Sequence, residues 1–112
     1  MSRYKAKLIR IIDGDTIDAE IEVGFDIYVR KRIRLWGINA PERRSKDKDE
    51  VKASKRATKR LTEILSLSKG VFELVVHGDG KYGRCLGEIF VNNLSESINN
   101  TLIKEGLVKK YE

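Results

Sequence analysis

The chain has 112 residues, 40% apolar and 36% charged, which suffices for one small core and leaves little room for a second domain. A mean hydropathy of -0.43 and short aliphatic runs, Leu8 to Ile12 and Leu74 to Val76, exclude a membrane-spanning helix, which needs roughly 20 apolar residues; the single cysteine, Cys85, excludes an internal disulfide. Residues 30–60 hold 13 Lys and Arg against 4 Asp and Glu, within a total charge of +6, so the molecule is polarised.

In chain order, Lys7 to Ile12 reads as a first strand ending at the turn pair Asp13-Gly14. Ile17, Ala19, Ile21 and Val23 alternate with Asp18, Glu20 and Glu22, the period of a strand with one buried face. After a turn at Gly24 to Asp26, the next strand sets Ile27, Val29, Ile33 and Leu35 on one face and Tyr28, Arg30, Arg32, Arg34 and Trp36 on the other. From Asp49 to about Ser66 the period turns helical, with Val51, Ser54, Thr58, Leu61 and Leu65 near one stripe and Lys52, Lys55, Arg56, Lys59 and Arg60 opposite. Val71 to His77 and Cys85 to Val91 read as a hairpin around the loop Gly78 to Gly83. A short helix from Ser97 to Glu105, capped by Ser95 or Ser97, stops at Gly106. Five short antiparallel strands with a helix after the third and a short C-terminal helix predict an α+β Greek-key barrel in a single domain over residues 1–112.

The basic region suits a polyanion, because each neutralised phosphate releases counterions; a solvated helix face with basic loops explains it equally well. Three motifs carry more chemistry. Asp13-Gly-Asp-Thr16 offers two carboxylates at a turn, a set that can hold a hard cation such as Ca²⁺, or is simply a hairpin turn. Arg34-Leu-Trp-Gly-Ile-Asn-Ala-Pro-Glu42 brings a strand-borne guanidinium, an amide oxygen at Asn39, and a carboxylate able to activate water. Lys81-Tyr-Gly-Arg84 adds a second arginine suited to phosphate. Together they supply what metal-assisted phosphodiester hydrolysis requires.

In order and spacing these motifs, followed by Asn99 to Lys109, resemble the staphylococcal nuclease, or thermonuclease, family over about Lys5 to Lys110. The resemblance implies an OB-fold barrel and Ca²⁺-dependent cleavage of DNA and RNA by water, leaving 3′-phosphate ends. It implies Asp15 as a direct Ca²⁺ ligand, Asp13 in support, and the Ala40 backbone carbonyl as a further ligand. Glu42 matches the proposed general base, Arg34 and Arg84 the phosphate-binding arginines, and Lys81 and Tyr82 the contacts to a terminal phosphate. Two departures stand out. Asn39 occupies the position of a second metal-binding Asp, which removes one negative charge and predicts weaker Ca²⁺ binding or a shifted metal preference. The family's last helix lies beyond Glu112, leaving Tyr111 alone to represent the tyrosines that flank the base.

The expectation is therefore a monomeric nuclease acting on nucleic acid, with no membrane role. The alternative is a nucleic-acid-binding module that kept the barrel and lost catalysis. With no secretory signal pattern in the first residues, a cytoplasmic location is expected for the chain as given, or export if a leader was removed. His77 reads as a surface or hairpin residue and Cys85 as a small packed one. Trp36 reads as packing rather than a platform for a base.

Overall fold

The computed structural model describes residues 2–111 and folds the alternating segments into a closed barrel. Strands β1 (Arg3–Asp13), β2 (Thr16–Gly24) and β3 (Ile27–Leu35) form an antiparallel meander. After β4 (Ile38–Asn39) and helix α1 (Lys48–Leu67), β5 (Val71–Asp79) and β6 (Cys85–Phe90) form a hairpin. Strand β5 pairs back onto β1 and β6 onto β3, so the ring runs β1-β2-β3-β6-β5, an α+β OB-fold. The β3–β6 pair is parallel, Ile33 facing Cys85 and Leu35 facing Gly87, which corrects the expectation of an all-antiparallel set. A closed ring with an odd number of strands cannot alternate direction throughout, so one pair must run parallel.

The alternation places Ile17, Ala19, Ile21, Ile33, Leu35, Phe72, Leu74 and Ile89 inside the barrel, all buried. Each large aliphatic side chain so buried contributes about 1.5–3 kcal/mol relative to exposure. Helix α1 adds Ala57, Leu61, Ile64 and Leu65 to the same core. It starts where the Asp47 carboxylate accepts the Asp49 N–H at 2.9 Å, with Asp49 and Glu50 favouring its first turn electrostatically. It stops at Lys69 and Gly70, both left-handed, with the Gly70 N–H donating to the Leu65 carbonyl at 2.8 Å. Helix α2 (Ile98–Lys104) is capped by Ser97, whose hydroxyl accepts the Asn100 N–H, and ends ahead of Gly106 at φ +73°.

Some limits move. Strand β1 begins at Arg3 rather than Lys7 because its register with β5 extends to the Arg3–Val75 pair. A two-stranded sheet of β4 and β7 (Lys109–Lys110) was not foreseen, two residues being too few to show a period. His77 is a residue of the β5–β6 hairpin and not of the open surface, with a side chain 10% exposed, stacked on Trp36 at 3.8 Å between ring centroids, and Nε2 2.9 Å from a Glu88 carboxylate oxygen. Trp36 stacks on His77 yet stays 44% exposed, and Cys85 is buried, which pushes its thiol pKa up. Among the described residues no helix is long and apolar enough to cross a membrane.

Candidate functional site

The turn between β1 and β2 is built by Asp13, Gly14 and Asp15. A register shift after Ile11 sets Asp13 opposite Thr16, and the Asp15 N–H donates to Asp13 Oδ1 at 3.1 Å. Gly14 is required by space, since a Cβ there would lie 2.8 Å from the Ala57 Cβ of α1 and 3.1 Å from the Ala40 Cβ. The turn is thus seated against both the helix and the segment after β4.

Asp15 is buried, with its side chain 13% exposed, and its carboxylate is engaged at both oxygens. Oδ1 accepts the Thr16 hydroxyl at 2.9 Å; Oδ2 accepts the Ala40 N–H at 2.9 Å and lies 3.0 Å from Arg34 Nη1. Arg34 stands opposite Thr16 in the β2–β3 register, and its Nη2 donates to Asn39 Oδ1 at 2.5 Å. One guanidinium therefore joins two sequence motifs. Asp13 is pushed up to about 6, first by burial, then by the hydrogen bond and charge of Asp15.

Beside this cluster a cleft of about 560 Å³ is lined by Ile12, Asp13, Thr16, Arg32, Tyr82 and Arg84. Tyr82 has φ +60° in the one-turn helix Lys81–Gly83, and the guanidinium of Arg84 lies 5.9 Å from its ring centre. Arg84 Nε also donates to the Lys81 carbonyl at 3.1 Å, fixing the arginine to its own loop. Lys81 is exposed, and Tyr82 is 94% exposed.

Glu42 lies in a neighbouring cleft of about 570 Å³, shared with Asn39, Ala40, Glu50, Arg56 and the segment Gly106 to Lys109. Its N–H donates to Glu50 Oε2 at 3.0 Å, which is the foremost reason the Glu50 carboxyl is held below its ordinary range. Tyr111 is 60% exposed, with its N–H on the Gly37 carbonyl at 2.8 Å. The structure thus brings Asp13, Asp15, Arg34, Asn39 and Ala40 into one hydrogen-bonded cluster with Arg84 and Tyr82 on the adjoining cleft, while Glu42 faces the next cleft.

Two residues that sequence reasoning gave no role help to form the site: Thr16 fixes Asp15 and Glu50 fixes Glu42, while Ala40, expected to act through its carbonyl, holds Asp15 through its N–H. A third, buried Asn99, donates to the carbonyls of Trp36 and Gly87 and accepts the Ile89 N–H, tying α2 to the end of β3. A lone buried Asn in a helical stripe was the only signal for it.

Among the described residues no three His, Cys, Asp or Glu side chains converge as a metal site. The oxygen donors of the cluster are the Asp13 and Asp15 carboxylates, the Asn39 amide oxygen and the Thr16 hydroxyl, while Ala40 contributes its N–H. All four are hard, and two crowded carboxylates gain from a nearby positive charge. The set fits a hard divalent cation of the Ca²⁺ or Mg²⁺ type and not a thiolate-seeking or imidazole-seeking one.

A family model described as staphylococcal nuclease homologue matches residues 32–112. An uncharacterized protein of Methanocaldococcus jannaschii is 28% identical over 128 aligned positions, covering 96% of this chain and 59% of that protein. The chain spans about three fifths of the length of this curated relative.

Proposed function

The chain belongs to the staphylococcal nuclease homologue family, and from that premise we propose that it is a Ca²⁺-dependent nuclease hydrolysing DNA or RNA phosphodiesters and leaving 3′-phosphate ends. The observation that carries the reading is the Arg34 guanidinium held between Asp15 and Asn39, which joins an anionic turn to a phosphate-binding group.

Asp15, Asn39 and the Ala40 carbonyl would hold the ion, with Asp13 supporting; its charge would polarise a phosphoryl oxygen and acidify water at the site. Glu42 orients or deprotonates the attacking water. Arg34 and Arg84 bind the phosphate and stabilise the charge that grows on its oxygens during attack, a role suited to paired donors on a planar fork. Lys81, Tyr82 and Tyr111 hold the nucleotide beside the cleaved bond.

One observation favours a second reading, a binding module without catalysis. Asp15 is already paired with Arg34 and hydrogen-bonded at both oxygens, and the Asn39 oxygen is taken by Arg34, so two of the proposed ligands are engaged by the protein itself. A single assay separates the two. An end-labelled single-stranded oligonucleotide is incubated across a Ca²⁺ titration, with chelator and with Glu42→Gln. Cleavage that follows Ca²⁺ and is lost in both controls supports the nuclease; an oligonucleotide bound but intact at every Ca²⁺ level supports the module.

A further inference from the structure

We propose that the outer face of α1 is a rail for the sugar-phosphate backbone of nucleic acid flanking the candidate site, with Lys48, Lys52, Lys55 and Lys59 on its phosphates and Arg56 joining the rail to the cleft. This role deepens the proposed function and takes from it the identity of the polyanion.

The four lysines follow one another at i, i+4, i+7 and i+11, which sets them within about 60° around the helix and spreads them over about 16 Å of its length. All four are exposed, and the buried Ala57, Leu61 and Ile64 lie on the opposite side. Arg56 is exposed beside the row. None of these five cations has an ion-pair partner among the described residues. The acids of α1 are placed elsewhere: Asp49 and Glu50 occupy the first turn, where Glu50 accepts the Glu42 N–H, and Glu63 lies beyond the row, 3.8 Å from Arg60.

A merely solvated surface does not account for this arrangement. Like charges three or four residues apart weaken a helix, and Lys48 with Lys52, Lys52 with Lys55, and Lys55 with Lys59 are all such pairs. Cations also oppose the helix dipole near the N-terminus and suit it near the C-terminus. Helix α1 does the reverse: Lys48 opens it, all five cations fall in the first 12 of its 20 residues, and its last turn holds no basic residue. The charge therefore sits where it costs the helix stability, and that end is the one beside the candidate site. Arg56 lines the cleft of about 570 Å³ together with Asn39 and Glu42, so a strand leaving the cleft past Arg56 meets the row.

The composition of the face selects the occupant. Helix α1 contains no Phe, Trp, Tyr or His, so it offers bases no platform for stacking, and what it can engage is phosphate, without reading sequence. About 16 Å of duplex carries about five phosphates on one strand, which matches four lysines and Arg56. An anionic lipid surface fits less well, because the large apolar side chains of α1 face the core and only Leu67, beyond the row, is exposed for insertion.

The test compares the wild type with a row variant, Lys48→Gln, Lys52→Gln, Lys55→Gln, Lys59→Gln, and with a control of equal charge, Lys5→Gln, Lys7→Gln, Lys104→Gln, Lys110→Gln. Glutamine forms helix about as well as lysine, so the row variant should melt at or above the wild type once the like-charge pairs are gone. Binding of labelled duplexes of about 20 base pairs and two unrelated sequences is read by anisotropy in chelator across a salt series. The row variant should flatten the slope of log affinity against log salt by about 3 to 4, and the double variant Lys55→Gln, Lys59→Gln, farthest from the site, by about half of that, equally for both sequences. Cleavage with Ca²⁺ of a substrate of about three nucleotides, too short to reach the row, should be unchanged. A slope equal to that of the wild type overturns the rail, even when the short substrate is cleaved and the nuclease reading stands. A slope lost in the row variant and kept in the control supports it, even when nothing is cleaved and the nuclease reading fails. An equal loss in the control overturns it, since net charge alone would then be the cause. A wild type that binds vesicles of phosphatidylserine and phosphatidylcholine and leaves the duplex unbound overturns it as well.

Discussion

Arg34 Nη1 lies 3.0 Å from Asp15 Oδ2, with the two side chains only 16% and 13% exposed. At that depth an ion pair is worth little against apolar packing, but removing one partner leaves a charge with incomplete compensation. Arg34→Ala should therefore lower stability by about 2–3 kcal/mol in denaturant melts and reduce kcat by about 10²–10³-fold at saturating Ca²⁺. Arg34→Lys should recover part of the stability and little of the rate, because an ammonium cannot serve Asp15 and Asn39 at once. Full activity in the lysine variant would remove Arg34 from the transition state.

Asn39 presents a neutral oxygen where a carboxylate would add charge to the proposed ion site. Asn39→Asp should tighten Ca²⁺ by about tenfold or more in calorimetric titrations without nucleic acid, since affinity of such sites follows the number of charged ligands. Arg34 already donates to that oxygen, so the new carboxylate keeps its partner. Unchanged Ca²⁺ affinity would put residue 39 outside the ion's reach.

Glu50 is a positioning residue in the same argument, since it touches the Glu42 backbone and no reacting atom. Glu50→Ala should cut kcat by about tenfold with KM and melting temperature nearly unmoved, because the loop after β4 loses its tether to α1. Glu50→Gln keeps an oxygen that can accept the Glu42 N–H and should restore most of the rate. If KM moves instead of kcat, Glu50 acts on substrate binding.

The barrel was legible because strands with one buried face write their period into the sequence. Ile17, Ala19 and Ile21 against Asp18 and Glu20 gave β2, the Arg30 to Trp36 row gave β3, and Gly106 marked the end of α2. The parallel closure of β6 on β3 follows from counting strands in a ring and not from any residue. Sheet β4–β7 and the Glu42–Glu50 bond depend on loops folding back, and local periodicity carries no trace of that. The gathering of Asp15, Arg34 and Asn39 is of the same kind. It comes from the register that sets Thr16 against Arg34, although each motif was visible alone. For Ala40 the resemblance implied a carbonyl ligand, whereas the contact that the structure holds is its N–H on Asp15.

Asp18 reports on the outer face of the barrel. Arg32 foremost, with Arg10, lowers its pKa from 3.8 to about 2. A carboxyl whose folded pKa is depressed contributes stability above its unfolded pKa, and loses it as pH falls through the folded one. Because the arginines are well exposed, solvent screening reduces the contribution to about 1 kcal/mol. Asp18→Asn should thus be less stable than wild type at pH 7, converge with it between pH about 4 and about 2, and show a smaller difference in 1 M salt, as followed by urea melts at each pH. A difference that persists at pH 2 would assign the effect to packing.

Gly14 couples stability to the site through volume alone. Its backbone is not in the left-handed region, so alanine would be conformationally acceptable, but the added Cβ would lie 2.8 Å from that of Ala57 and 3.1 Å from that of Ala40. Ala57 is fully buried on α1, so the turn must give way, carrying Asp13 and Asp15 with it. Gly14→Ala should cost about 1–3 kcal/mol and lower kcat more than the loss of stability alone explains. Ala57→Gly in the same chain removes the nearer clash while adding about 1 kcal/mol of helix cost. The double variant should therefore recover activity without recovering full stability, a non-additive cycle that only direct contact between the two sites produces. Additive effects on both readouts would mean that the turn moves independently of the helix.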